Sequence, residues 1–140
     1  MSTPLLCLLI FALWTVSLVI VGVGGYRIPP IVAGRKRANA FAADVEHGGP
    51  GWYRRCVRAH MNCVENLPVF GAVVLIGAVA GIATERLDML AMAYVAARVL
   101  QSLIHIASGS SAAVSARFGF FVVQLLCIGA MSWELWSHAS

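Results

Sequence analysis

Two long stretches of the chain, residues 3–26 and 66–84, carry no charged side chain, and they limit its possible folds more than any other feature. A charge-free run of about 20 residues crosses roughly 30 Å of hydrocarbon as a helix, because in lipid each backbone polar group must be satisfied within its own segment. Composition agrees with a membrane setting. Of the 140 residues, 60% are hydrophobic and 11% charged, well under the ~25% charged share of a soluble domain. The length suits one domain, residues 1–140, and the chain reads as all-α, an integral membrane four-helix bundle. The first apolar run has no basic flank before it and exceeds the about 7–15 apolar residues of a signal peptide. It is therefore expected to remain as a helix rather than be cleaved.

Punctuation in the sequence divides the bundle. The first span is expected from about Pro4 to Arg27, stopping near Pro29 and Pro30, which remove two backbone donors. The second begins at Trp52–Val57 and reaches about Ala83. The third runs from about Leu87 to Ala107, with Thr84 placed to cap it. The fourth runs from about Val114 to Trp136, after a small-residue connection, "SGSSAAVSA". Seven of the ten basic residues (Arg27, Arg35, Lys36, Arg37, Arg54, Arg55 and Arg58) fall between positions 27 and 58. The positive-inside rule then puts the first connection in the cytoplasm and both termini on the other side. In such a protein the cluster marks topology and contact with anionic lipid, not a nucleic-acid site. Gly77 and Gly81 form a GxxxG, and Gly22, Gly24 and Gly25 a second small surface; both predict close helix approach. Of the four cysteines, Cys56 and Cys63 lie ~10 Å apart along one helix, too far to bridge, and no disulfide framework is implied.

Polar residues inside the spans carry the functional signal. In "RAHMNCVENLP", residues 58–68, Arg58, Asn62 and Glu65 stand at i, i+4 and i+7 and share a helix face. Arg98, Gln101 and His105 repeat the arrangement on the third span, and Arg117 opens the fourth. Such groups are costly against lipid and normally look inward or line a wet cavity. They predict a polar, positively charged pocket at the cytoplasmic end, beside lipid, suited to an anionic molecule that must meet a hydrophobic one. An Arg98–Glu65 ion pair is within reach at that depth. For Arg58, Arg98 and Glu65, structural pairing and ligand contact both remain open. His60 and Asn66 lie off the main face and are assigned to helix packing or headgroup contact. No nucleophile elbow, Walker loop, dinucleotide fingerprint or HExxH is present, and His60 with His105 lacks a third ligand, so no metal site is expected.

"RCVRAHMNCVENLPVF", Arg55 to Phe70, resembles the second-helix motif of the MAPEG family, membrane-associated proteins in eicosanoid and glutathione metabolism. The pattern R-x-x-R-A-x-x-N-x-x-E-x-x-P-x-F is matched at Arg55, Arg58, Ala59, Asn62, Glu65, Pro68 and Phe70. The resemblance implies a homotrimer in contact with membrane lipids, with glutathione as cosubstrate held between subunits near the cytoplasmic face. It implies a transferase or peroxidase acting on lipophilic electrophiles or lipid hydroperoxides. By the same resemblance Asn62 and Glu65 contact glutathione, Glu65 at its amino group. Arg58 and Arg98 match the family's second- and third-helix arginines, and Gln101 and His105 stand at third-helix contact positions. Arg117 matches the Arg that activates the thiol. Arg35 or Arg37 corresponds to an Arg at the end of the first helix. Gln101 and His105 replace the His or Tyr, then Tyr, of eicosanoid-branch members. Phe118, Gly119, Phe120 and Phe121 stand where the prostaglandin E synthase pattern offers Ser and Tyr, and Met61 replaces a frequent Arg. These departures point to a generic, bacterial-type member rather than a prostaglandin or leukotriene synthase. The missing hydroxyl contacts also motivate a rival, a non-catalytic lipid-binding or accessory subunit that keeps the family fold.

Overall fold

The computed structural model describes residues 1–41 and 49–139, the last as backbone only. The middle of the first connection, with Asp44, Glu46 and His47, lies outside the described residues. Among the described residues, four helices are long and apolar enough to cross a membrane: Thr3–Val32, Gly51–Val79, Glu85–Ala107 and Ser111–His138. The protein is an integral, multi-pass, all-helical membrane protein.

The first span is composite: α1 (Thr3–Ser17), a π-helical stretch (Leu18–Gly24) and α2 (Gly25–Val32). It continues past Arg27 and through the two prolines, contrary to the expected stop. Proline's fixed φ is itself helical, so the chain keeps helical dihedrals through both rings although each omits one N–H bond. The carbonyls of Pro29 and Pro30 accept from Ala33 and Arg35 at 3.0 and 2.9 Å, which closes the last turn. The stop comes at Gly34, whose φ of +67° is left-handed. Its N–H bonds Ile31 O, and the Arg35 N–H bonds Pro30 O, a Schellman ending.

A π stretch shifts the backbone register by one, and side chains from α3 (Gly51–Val79) meet carbonyls at its edge. His60 Nδ1 lies 3.0 Å from Thr15 O, and Cys56 Sγ donates to Leu18 O at 3.7 Å. His60 is thus a packing residue. Gly22, inside the π stretch, lets the first span press directly onto α3: a Cβ there would collide with Cys56 Sγ, whereas one at Gly25 would meet nothing. Gly22→Ala is therefore expected to cost about 1–3 kcal/mol, read as a lower thermal midpoint in detergent. Gly25→Ala should leave the midpoint unchanged.

α3 ends earlier than expected, at Val79. Gly81, also at φ +67°, is its left-handed ending residue, with the Ile82 N–H on Gly77 O at 3.0 Å. The two glycines of the GxxxG thus do different work. Gly77 packs against Leu135, while Gly81 ends the helix. Thr84 caps α4 (Glu85–Ala107) by accepting from the Leu87 N–H at 3.1 Å, and its hydroxyl also donates to Glu134 of α5 (Ser111–Ala139). α5 begins three residues before the expected Val114, because Ser110 Oγ accepts from the Ala113 N–H.

α4 lies at the centre of the bundle, touching α1, α3 and α5. Its Tyr94 stacks on Phe70 of α3 at 4.2 Å, and Phe11 of α1 stands edge-on to the pair at 6.0–6.1 Å. All three rings are at most 1% exposed. This aromatic knot joins three spans directly beneath Arg98, whose guanidinium carbon lies 5.9 Å from the Phe11 ring.

Candidate functional site

One turn of α4 beyond the aromatic knot, the helices part into a cleft of about 340 Å³. α3 contributes Asn62, Glu65 and Asn66, and α4 contributes Arg98, Gln101 and His105. α5 contributes Arg117 together with an apolar wall of Val114, Phe118 and Phe121. Three helices meet here because their polar residues recur at helical spacing and cannot face lipid.

Of the residues predicted from sequence, the cleft gathers Asn62, Glu65, Arg98, Gln101, His105 and Arg117. Arg58 does not line it and its side chain is exposed. Asn66, assigned above to packing or headgroup contact, does line it. It is one turn beyond Asn62 on the same side of α3, and its amide donates to the Asn62 carbonyl at 2.8 Å. The Arg98–Glu65 ion pair is not formed. Arg98 Nη1 instead donates to Gln101 Oε1 at 2.9 Å, one turn along its own helix. Glu65 stays exposed at the cleft mouth, with no ion-pair partner among the described residues.

The electrostatics of the cleft follow from burial. Arg98 is 2% exposed, and its Nε and Nη2 have no hydrogen-bond partner among the described residues. A buried guanidinium with unused donors and no counter-charge strongly attracts anions. Arg117 adds a second, half-buried cation, and Glu65 supplies one carboxylate. Gln101 ties these parts together. Its Oε1 takes the Arg98 donor and a second bond from Gln124 Nε2 at 3.2 Å, and its Nε2 donates to the Arg117 carbonyl at 2.8 Å. Arg55 braces the end of α4 from outside the cleft, donating to Ile106 O at 2.9 Å.

Sequence reasoning passed over Gln124, which is 1% exposed on α5. The signal was present: a lone amide in the apolar run "FFVVQLLC" has no reason to be there unless it meets another polar group. The apolar wall was harder to find, since Val114, Phe118 and Phe121 look like any lipid-facing residues until the cleft places them beside two arginines.

Compared with known families, the chain matches the sequence model described as MAPEG family over residues 4–136. No curated protein and no solved structure matches it.

Proposed function

Because the chain belongs to the MAPEG family, a membrane family of glutathione and eicosanoid metabolism, we propose that it is a glutathione-dependent transferase or peroxidase acting on lipophilic electrophiles or lipid hydroperoxides. The carrying observation is Arg98, a buried cation in the lining of the cleft with no carboxylate partner among the described residues. The cleft suits glutathione in charge as well as size. Glutathione has two carboxylates and one ammonium, and the cleft offers two guanidiniums, Arg98 and Arg117, and one carboxylate, Glu65.

In this proposal Arg98 and Arg117 attract the peptide's negative groups, Glu65 holds its amino group, and Asn62, Gln101 and His105 contribute polar contacts. Glutathione supplies the nucleophile: its thiol proton passes to water, and the sulfur electron pair forms the new bond as the leaving group departs. With a hydroperoxide the sulfur takes the outer oxygen as the alcohol leaves. A second glutathione reduces the resulting sulfenic acid to give the disulfide and water. Arg117 stabilises the thiolate, since a cation beside the sulfur favours its charged form. Val114, Phe118 and Phe121 face the second substrate, and their side of the cleft lets a lipid-dissolved molecule reach the sulfur without crossing water. The open mouth and exposed Glu65 suit a homotrimer in which a neighbouring subunit completes the cleft. The basic first connection sets the cleft at the cytoplasmic face, with both termini opposite.

Calorimetric titration of glutathione into the detergent-purified protein tests this directly. Saturable binding is expected, weakened about tenfold in both Asn62→Ala and Glu65→Ala. A folded protein that ignores glutathione and co-purifies with a stable partner would instead support the non-catalytic accessory role.

A further inference from the structure

We infer that Gln124 is a positioning residue for the glutathione site, acting through Gln101; the inference rests on the glutathione-binding role proposed above. Gln124 does not line the cleft, and it lies behind Gln101 on α5.

The orientation of both amides is chemically determined. Arg98 can only donate, so the Gln101 atom 2.9 Å from Nη1 is the oxygen. The other end of Gln101 meets the carbonyl of Arg117, which can only accept, so that end is the nitrogen. Gln124 Nε2 sits between two acceptors, Gln101 Oε1 at 3.2 Å and the Phe120 carbonyl at 3.0 Å, and must likewise be the nitrogen. Without Gln124, the Gln101 oxygen keeps one donor, and its side chain can turn about its last torsion. With Gln124, that oxygen is held from two helices at once. The guanidinium of Arg98 then stays held through Nη1 at the lining of the cleft. The same tie holds the Gln101 amide against the backbone of Arg117, fixing the start of α5 relative to α4.

A further sign marks Gln124 as placed for this task rather than for packing. Its Oε1 is buried and has no partner among the described residues. An unsatisfied buried oxygen is costly, and a leucine would fill the same space without that cost. The amide is thus retained for its nitrogen, which reaches Gln101.

The experiment compares Gln124→Met, Gln101→Met and the double variant in the intact detergent-purified protein, by glutathione calorimetry and by KM and kcat with a lipophilic electrophile. Thermal midpoints serve as the fold check. Gln124→Met is expected to weaken glutathione binding about tenfold, as a raised KM, with the midpoint little changed. Since Gln124 acts through Gln101, the double variant should bind no more weakly than Gln101→Met alone. Wild-type affinity in folded Gln124→Met overturns the inference, as do losses that multiply in the double variant. If Gln124→Met does not fold, Gln124→Glu decides in its place. It has the same shape but cannot donate both bonds, so affinity should fall, and unchanged affinity overturns the role. A wild-type protein that does not bind glutathione defeats the proposed function itself and takes this inference with it. Binding in the wild type with no effect at Gln124 defeats the inference alone.

Discussion

Replacing Arg117 with alanine is expected to lower the proposed glutathione-dependent turnover by about 100-fold or more while the protein stays folded. The side chain of Arg117 is half-buried at the cleft mouth, and the hydrogen bond that anchors this turn of α5 is made by its backbone carbonyl, from Gln101 Nε2. Alanine keeps that carbonyl and removes only the guanidinium. Helix pairing is therefore undisturbed, and the loss falls on the charge proposed to stabilise the thiolate. The measurement is turnover with a lipophilic electrophile, alongside chromatographic size and thermal midpoint. Undiminished turnover in a folded variant would remove Arg117 from the chemistry. Loss of the fold along with turnover would make it a structural residue.

The second large effect separates binding from stability. Arg98→Met is expected to weaken glutathione binding about 100-fold or more, yet leave the thermal midpoint unchanged or higher. Arg98 is 2% exposed, sits over the Phe11 ring, and has no carboxylate partner among the described residues. A buried charge without a counter-charge burdens the fold, and replacing buried charges by apolar side chains of similar volume is often neutral or stabilising by about 1–4 kcal/mol. Methionine keeps an unbranched apolar stem above the aromatic knot and gives up the bond to Gln101. The opposite pattern, a collapsed midpoint with retained binding, would show that the guanidinium ties α4 to its neighbours and plays no part in anion recognition.

Much of this molecule is visible in its sequence because lipid is a demanding solvent. Charge-free runs must become helices, and polar residues within them must turn inward. That is why Asn62, Glu65, Arg98, Gln101, His105 and Arg117 could be grouped before any coordinates, and why Thr84 was recognisable as a cap. Helix ends were less legible. Pro29–Pro30 looked like a stop and was crossed, because proline's φ fits a helix, while Gly34 and Gly81 ended their helices through a positive φ that spacing alone does not announce.

Pairings were least legible. Arg98 and Glu65 looked like partners by depth and sign, but depth along an axis does not determine rotation or reach. Arg98 found Gln101 on its own helix, and Glu65 stayed exposed without an ion-pair partner among the described residues. His60 could be set aside from the polar face, but not matched to the Thr15 carbonyl at a π-helical junction. Sequence by itself determined the solvent, the four spans and the residues that could not face lipid, because each follows from local composition and period, and it pointed to the family through the Arg55–Phe70 motif. Only the tertiary structure decided which of those residues meet. It left Arg58 outside the cleft, brought Asn66 into it, and placed Gln124 behind Gln101. Hydrogen bonds reach about 3 Å, and helix rotation and crossing, set by packing across the whole bundle, decide which polar atoms come that close.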